Sequence, residues 1–160
     1  MDQHDKLSPD LEKTLIDRML DSMGIGLYVS SGDGTVLYMN PIAREILETE
    51  DQYAPVEMRK QTETSGLKIQ DLLAPEYLDI FEANIQKQHN HPDRLRLVEL
   101  KINTPKGKTK WISHKYYTAA EKQKDKPFLF ASIQDITEKK ETEEALQYRI
   151  QFEKIINNIS

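Results

Sequence analysis

The change of sequence period at Asp135-Ile136-Thr137 constrains this chain more than any other feature. Upstream, Phe128-Leu129-Phe130-Ala131-Ser132-Ile133 is a short apolar run after Pro127, too short and too aromatic for an independent helix, and it predicts a strand. Downstream, Glu138 to Ile159 contains no Gly or Pro and is rich in Glu, Lys, Gln and Leu, which predicts a long helix. Thr137 is placed to cap that helix, with Lys140 at the capping-box position where Glu or Gln is usual. A strand that feeds a capped helix leaving the domain reads as a mechanical output. It points away from a site that completes a reaction.

Composition narrows the function classes. The 160 residues fit one domain with extensions, at 31% charged and 38% hydrophobic residues. A net charge of −5 offers no basic field for nucleic acid or an anionic membrane, so neither is an expected partner. The aromatic residues are scattered rather than interleaved with basic ones. The chain has no Cys, which removes disulfides, thiolate metal sites, a cysteine nucleophile and a cysteinyl chromophore, and fits a cytoplasmic location. No apolar run approaches the ~20 residues of a membrane span, and the polar start is no signal peptide.

Residues 1–23 form a polar tail and an amphipathic helix, opened by Ser8-Pro9 and carrying Leu11, Leu15, Ile16, Met19, Leu20 and Met23 at helical spacing. Residues 24–137 are the folded domain. Two β-rich runs around Ser31-Gly32-Asp33-Gly34 predict a hairpin, and Asn40-Pro41 caps a short helix to Leu47. Glu48 to Gly66 reads as a long loop, a candidate lid. Leu67 to Gln88 is mainly helical with a break at Pro75, and Leu78, Phe81 and Ile85 share a face. Leu95–Asn103, Lys110–Thr118 and Phe128–Gln134 are strands, the last two joined by a charged loop over 119–126. The order predicts an α+β fold, one antiparallel sheet with its helices gathered on one face.

Four stretches in this order resemble the PAS sensor domain family over about Leu15 to Lys140. They are Asp33-Gly34-Thr35-Val36-Leu37-Tyr38-Met39-Asn40-Pro41, Asp71-Leu72-Leu73-Ala74-Pro75-Glu76, Lys106-Gly107-Lys108-Thr109-Lys110-Trp111-Ile112 and Asp135-Ile136-Thr137-Glu138-Lys139-Lys140. The resemblance implies a five-stranded antiparallel sheet cupping a pocket against the middle helices, and dimerisation through flanking helices. It does not imply a particular ligand.

Flavin photoreceptors of the light-oxygen-voltage type and the photoactive-yellow-protein type both need a cysteine, so covalent chromophores of either kind are excluded. Haem in this family commonly hangs on a histidine of the long middle helix, but His89 and His91 sit in a polar Gln-Lys-Gln-His-Asn-His-Pro run and read as a solvated loop. Two histidines one residue apart without a third ligand make a poor metal site. The cofactor, if any, stays open. By resemblance to flavin-binding relatives, Ile112, His114 and Tyr116 face the pocket, with Leu129, Ala131 and Ile133 on the last strand. Leu100, Phe81, Ile85, Val29, Tyr38 and Asn40 complete the candidate lining. His114 reads either as a contact for a small polar ligand, as a core histidine satisfied by Tyr or backbone, or as a pH-sensitive element. Trp111, Phe128 and Phe130 form an outward patch, to be covered by Leu15, Met19 and Leu20 of the first helix or by a second subunit.

Asp135, Ile136 and Thr137 are the candidate signal relay. Beyond them, Ala145, Tyr148, Phe152, Ile155 and Ile159 recur at 3-4 spacing, the seam of a coiled-coil homodimer, with an isolated helix folded back on the sheet as the alternative. Residues 138–160 read as a linker helix into a covalently attached signalling domain, and Phe152 to Ser160 looks like the opening of a GAF or second PAS domain. No phosphate-cradling loop, nucleophile elbow or metal cluster is present, so no enzymatic activity is expected in this segment. Two functions follow. One is a sensory module of a two-component or similar signalling protein, relaying a ligand or partner state to a histidine kinase or diguanylate cyclase. The other is a ligand-free dimerisation module holding effector domains in register.

Overall fold

The computed structural model describes residues 7–49, 67–90, 94–119 and 128–159. Apart from Glu48, Thr49 and Ala119, the expected loops at 48–66 and 119–126 lie outside them, as do His91 and the side chain of His89. Helix α1 (Pro9–Ser22) is followed by strands β1 (Gly26–Ser30) and β2 (Val36–Met39) and helix α2 (Pro41–Leu47). A 3-10 helix (Ile69–Leu72) and helix α3 (Pro75–Asn90) precede β3 (Arg96–Asn103), β4 (Thr109–Ala119) and β5 (Phe128–Asp135), and α4 (Thr137–Ile159) leaves the sheet. The five strands are antiparallel in the order β2-β1-β5-β4-β3. This is the expected α+β sheet.

Local chemistry explains the hairpin and the helix after it. Ser8 caps α1 through a hydrogen bond from the Leu11 amide, with Pro9 in the first turn. Asn40 does more than cap α2. Its Oδ1 accepts from the amides of Ala43 and Leu27, and its Nδ2 donates to the Ile25 carbonyl. One buried side chain therefore fixes both the helix start and the adjoining strand. In β2 the register slips between Ser30↔Val36 and Val29↔Tyr38, so Leu37 is a bulge, and Val36 and Met39 both turn inward although they are three residues apart.

The segment from Leu67 to Ala74 closes over the inner face. It bonds the β2 edge, where Val36 N–H donates to the Leu67 carbonyl and Ile69 N–H to the Gly34 carbonyl. It then reaches the β3 edge, where Ala74 N–H donates to the Lys101 carbonyl and Leu73 bridges Ile102. One short strap thus touches both sheet edges. The core lies between strap, α2, α3 and sheet, around Tyr28, Val36, Ile46, Leu47, Leu72, Phe81, Leu100, Ile102, Ile112, Tyr116 and Ile133.

Gly26 permits the contact of α2 with the sheet. A Cβ there would stand 2.7 Å from Ala43 Cα and 2.8 Å from Ile133 Cγ1. The first neighbour is backbone and cannot swing away. Gly26→Ala is expected to force α2 off the sheet at a cost of about 1–3 kcal/mol. Urea unfolding of the two proteins checks this, with a lower midpoint and unchanged slope as the expected result.

Candidate functional site

Strand alternation brings the buried polar groups to the inner face. On β4, Ile112, His114, Tyr116 and Thr118 point inward, and on β5 Leu129, Ala131 and Ile133 do. Tyr28 enters from β1, on the far side of β5, and its hydroxyl lies 2.5 Å from His114 Nε2. The rings of Tyr116, Tyr28 and Phe81 surround the imidazole with centroids 4.9, 5.7 and 5.9 Å away. Burial pushes the His114 pKa from its ordinary 6.5 down to about 3, and raises those of Tyr28 and Tyr116. The imidazole is therefore neutral throughout the physiological range, and any pH sensitivity it confers lies on the acid side. Tyr28 occupies Nε2, while Nδ1 is buried with no partner.

These side chains nearly fill the centre of the cup. The space left among Tyr28, His114, Phe81, Leu100, Ile112, Ile133 and their neighbours is about 10 Å³, roughly one water. A second cavity of about 40 Å³ lies toward the β1–β2 turn, walled by Ser30, Gln70, Phe81, Ile85, Thr118 and Leu129. Neither space takes a flavin ring or a haem macrocycle. Ser30 Oγ and Gln70 Oε1 are buried in the second cavity's wall without a hydrogen-bond partner.

Of the sequence-derived lining, Phe81, Ile85, Leu100, Ile112, His114 and Ile133 border these two spaces, and Tyr116 and Ala131 are buried beside them. Asn40 borders neither, being committed to backbone hydrogen bonds. Val29 and Tyr38 lie on the opposite face, paired across β1 and β2, and Tyr38 is 40% exposed. The apolar parity of β1 favours Leu27 and Val29 as the inward pair. The fold instead buries Gly26, Tyr28 and Ser30, because α2 leaves no room for a Cβ at 26 and Tyr28 must reach His114. Ser30 escapes a sequence reading for that reason, and Gln70 because a glutamine next to Asp71 carries no signal that its side-chain oxygen is buried.

Val29 and Tyr38 help to form an outer groove of about 240 Å³ with Leu27, Leu95, Tyr117 and Phe130. Tyr117 stacks on Phe130 at 5.3 Å. Trp111 does not join this patch. It meets Tyr77 edge-on at 5.8 Å, and the Lys101 and Lys140 ammonium groups lie 5.0 and 5.1 Å from its ring centre. Helix α1 does not cover the patch either: Leu15 and Met19 are exposed, and α1 has no buried residue.

The junction with α4 is tightly bonded. Ile136 N–H donates to the Trp111 carbonyl at 2.9 Å, and Trp111 N–H donates to Thr137 Oγ1 at 3.0 Å. The Thr137 hydroxyl donates to Asp135 Oδ1 at 2.6 Å, and the same oxygen accepts from Thr137 N–H. Thr137 is thus the first residue of the helix rather than its cap, and its hydroxyl ties the helix to β4. Lys140 pairs with Glu99 on β3, which raises the lysine pKa and lowers that of the glutamate. Lys110 joins this end to α2: its Nζ donates to the Ile46 carbonyl at 2.8 Å and lies 3.7 Å from Glu48 and 4.0 Å from Asp135. Glu48, the left-handed residue ending α2, also accepts from Thr104 Oγ1 at 2.6 Å.

No family model and no curated sequence matches the chain. Solved structures do. A sensory box histidine kinase/response regulator from Burkholderia thailandensis superposes with a TM-score of 0.63 at 20% identity, covering 89% of this chain and 98% of that one. The PAS-B domain of Drosophila melanogaster Cycle with bound ethylene glycol gives 0.55 at 10% identity, over 69% and 98%. An RNA-binding light-oxygen-voltage receptor gives 0.63 at 14% identity, over 94% of this chain and 40% of that one. The chain has the PAS fold. Among the described residues, no helix is long and apolar enough to cross a membrane, and no group of three acidic or histidine side chains could hold a metal.

The buried histidine of this PAS-fold domain makes acid sensitivity predictable. Above pH 6.5 His114 is neutral in both folded and unfolded chains and contributes no pH dependence. Below it the unfolded chain takes up a proton that the folded one refuses until about pH 3. Stability should therefore fall with pH by up to about 1.4 kcal/mol per unit, starting below 6.5. His114→Phe should flatten the slope between pH 6.5 and 5, above the range where the carboxylates titrate. Chemical denaturation at stepped pH measures both slopes.

Proposed function

We propose that this chain is a sensory and regulatory PAS module whose output is the setting of α4 relative to the sheet. The observation that carries this reading is the double hydrogen bond between the Trp111 backbone and Ile136-Thr137. Any displacement of β4 is imposed directly on the first turn of α4. Inside the sheet the same strand carries Ile112, His114 and Thr118 along both cavities. A change in cavity occupancy and a change in helix setting are thus two ends of one strand. Such a relay requires a ligand or partner that favours one helix setting over the other.

Beyond its first turn α4 has no buried residue, and Tyr148, Phe152, Ile155 and Ile159 are 53–79% exposed. With Ala145 they form an apolar seam that a second α4 would cover, in a parallel homodimer leading to a linked histidine kinase or diguanylate cyclase. The exposed stripe of α1 and the outer groove offer further area to such a dimer. The output is then a change of helix geometry, with no chemistry carried out in this segment. The plugged centre of the cup favours a second reading, in which the domain holds two effectors in register without a ligand.

Ile85→Phe, which fills the second cavity, should shift the amide resonances of residues 136–145, and Thr137→Val should remove that response. Hydrogen exchange at the Trp111 amide should quicken about 3- to 10-fold in Thr137→Val, as one hydrogen bond is lost. If Ile85→Phe leaves α4 unmoved, the relay is wrong. Sedimentation of the wild type against Phe152→Glu/Ile155→Glu tests the seam: a dimer that becomes monomeric supports it, and an unaltered dimer places the interface elsewhere.

A further inference from the structure

We propose that the 40 Å³ cavity beside Ser30 and Gln70 recognises a small uncharged molecule that donates a hydrogen bond. The proposal rests on the reading of this domain as a sensor and specifies what it senses. Three observations carry it. First, Ser30 is 1% exposed and its hydroxyl has no partner, an arrangement that costs stability unless something else fills it.

Second, the amide of Gln70 is oriented by its surroundings. Its Nε2 donates to the Asp33 carbonyl at 3.0 Å, and a carbonyl can only accept, so the two ends of the amide cannot be exchanged. Oε1 is then the free end, buried and unpartnered. The side chain occupies the space that a Cβ on Gly34 would take, 2.0 Å from Oε1, so Gly34 is what allows it to lie there. An amide oxygen accepts and never donates. The guest must therefore bring an N–H or O–H, while the Ser30 hydroxyl can either accept from it or donate to it.

Third, the walls set size and charge. Among the described residues no ionisable side chain lines the cavity, and Phe81, Ile85 and Leu129 make the rest of it apolar. An ion would surrender its hydration there without a counter-charge. A purely apolar guest would leave both polar atoms unpaired. At roughly one water-sized site per 10–15 Å³, the volume takes about three to four non-hydrogen atoms. The matching chemistry is a short alcohol or a primary amide.

The test uses three probes of similar bulk: acetamide, acetate and xenon. Methyl resonances of Ile69, Ile85 and Leu129 are followed by NMR titration of the whole chain. The expected result is a saturable shift with acetamide at millimolar concentration and none with acetate at pH 7. Ser30→Ala and Gln70→Leu should each weaken acetamide about 3- to 10-fold. Ser30→Ala should leave the melting temperature unchanged or higher, because it deletes an unpaired hydroxyl, so lost binding cannot be ascribed to lost folding. Acetate or xenon binding as well as acetamide would overturn the ligand class and keep the cavity as a sensor. No shift with any probe would overturn the site, while the comparison of Ile85→Phe with Thr137→Val decides the relay on its own.

Discussion

The contact between Tyr28 and His114 spans β5 to join β1 with β4, and much of the interior is arranged around it. Two polar aromatic side chains sit where a core of this size would ordinarily place aliphatic ones. Each satisfies one polar atom of the other, and Phe81 and Tyr116 exclude water from both. The pair fixes which face of β1 is inward, since a slip of one residue would point Tyr28 to the solvent. It also occupies the centre of the cup, so that the larger remaining cavity is displaced toward the β1–β2 turn.

The periphery is held by side chains that reach for backbone. Asn40 fastens α2 to β1, Lys110 fastens the other end of α2 to β4, and the strap from Leu67 to Ala74 fastens both sheet edges. Because α2 is pinned at both ends and packed against Gly26, it is rigidly part of the sheet. The strap carrying Gln70 is packed as well, through the buried Ile69, Leu72, Leu73 and Ala74. Lys110 is also within 4.0 Å of Asp135, so the end of α2 and the start of α4 share one cation.

Helix α4 is anchored to the sheet only at its first turn. Backbone hydrogen bonds from Trp111, the hydroxyl of Thr137 and the Lys140–Glu99 pair orient it, after which its apolar seam runs free of the domain. A lever held at one end converts a small rotation at the anchor into a large displacement at its tip. In the proposed dimer, an interface between two such levers would have discrete packings, by which a small shift could become a two-state output.

The fold itself was legible in the sequence because its signals are local: Ser8-Pro9 and Asn40-Pro41 at helix starts, alternation on β3, β4 and β5, and the period change at Asp135. Those signals depend on the nearest few residues, and tertiary packing did not override them. Alternation put Ile112, His114 and Tyr116 on one face of β4, and it was the family resemblance, not the period, that pointed that face and the Ala131 and Ile133 side of β5 inward. What local pattern could not decide was β1 and β2, where both parities carry apolar residues and a bulge at Leu37 breaks the period. There the outcome depends on the approach of α2 to Gly26 and the reach of Tyr28, both contacts between distant parts of the chain. The burial of Ser30 and Gln70, the displacement of Trp111 from the aromatic patch and the role of Thr137 as a tie to β4 are of that kind. Sequence period sets which residues share a face, but only the packing of other elements sets which face is inside.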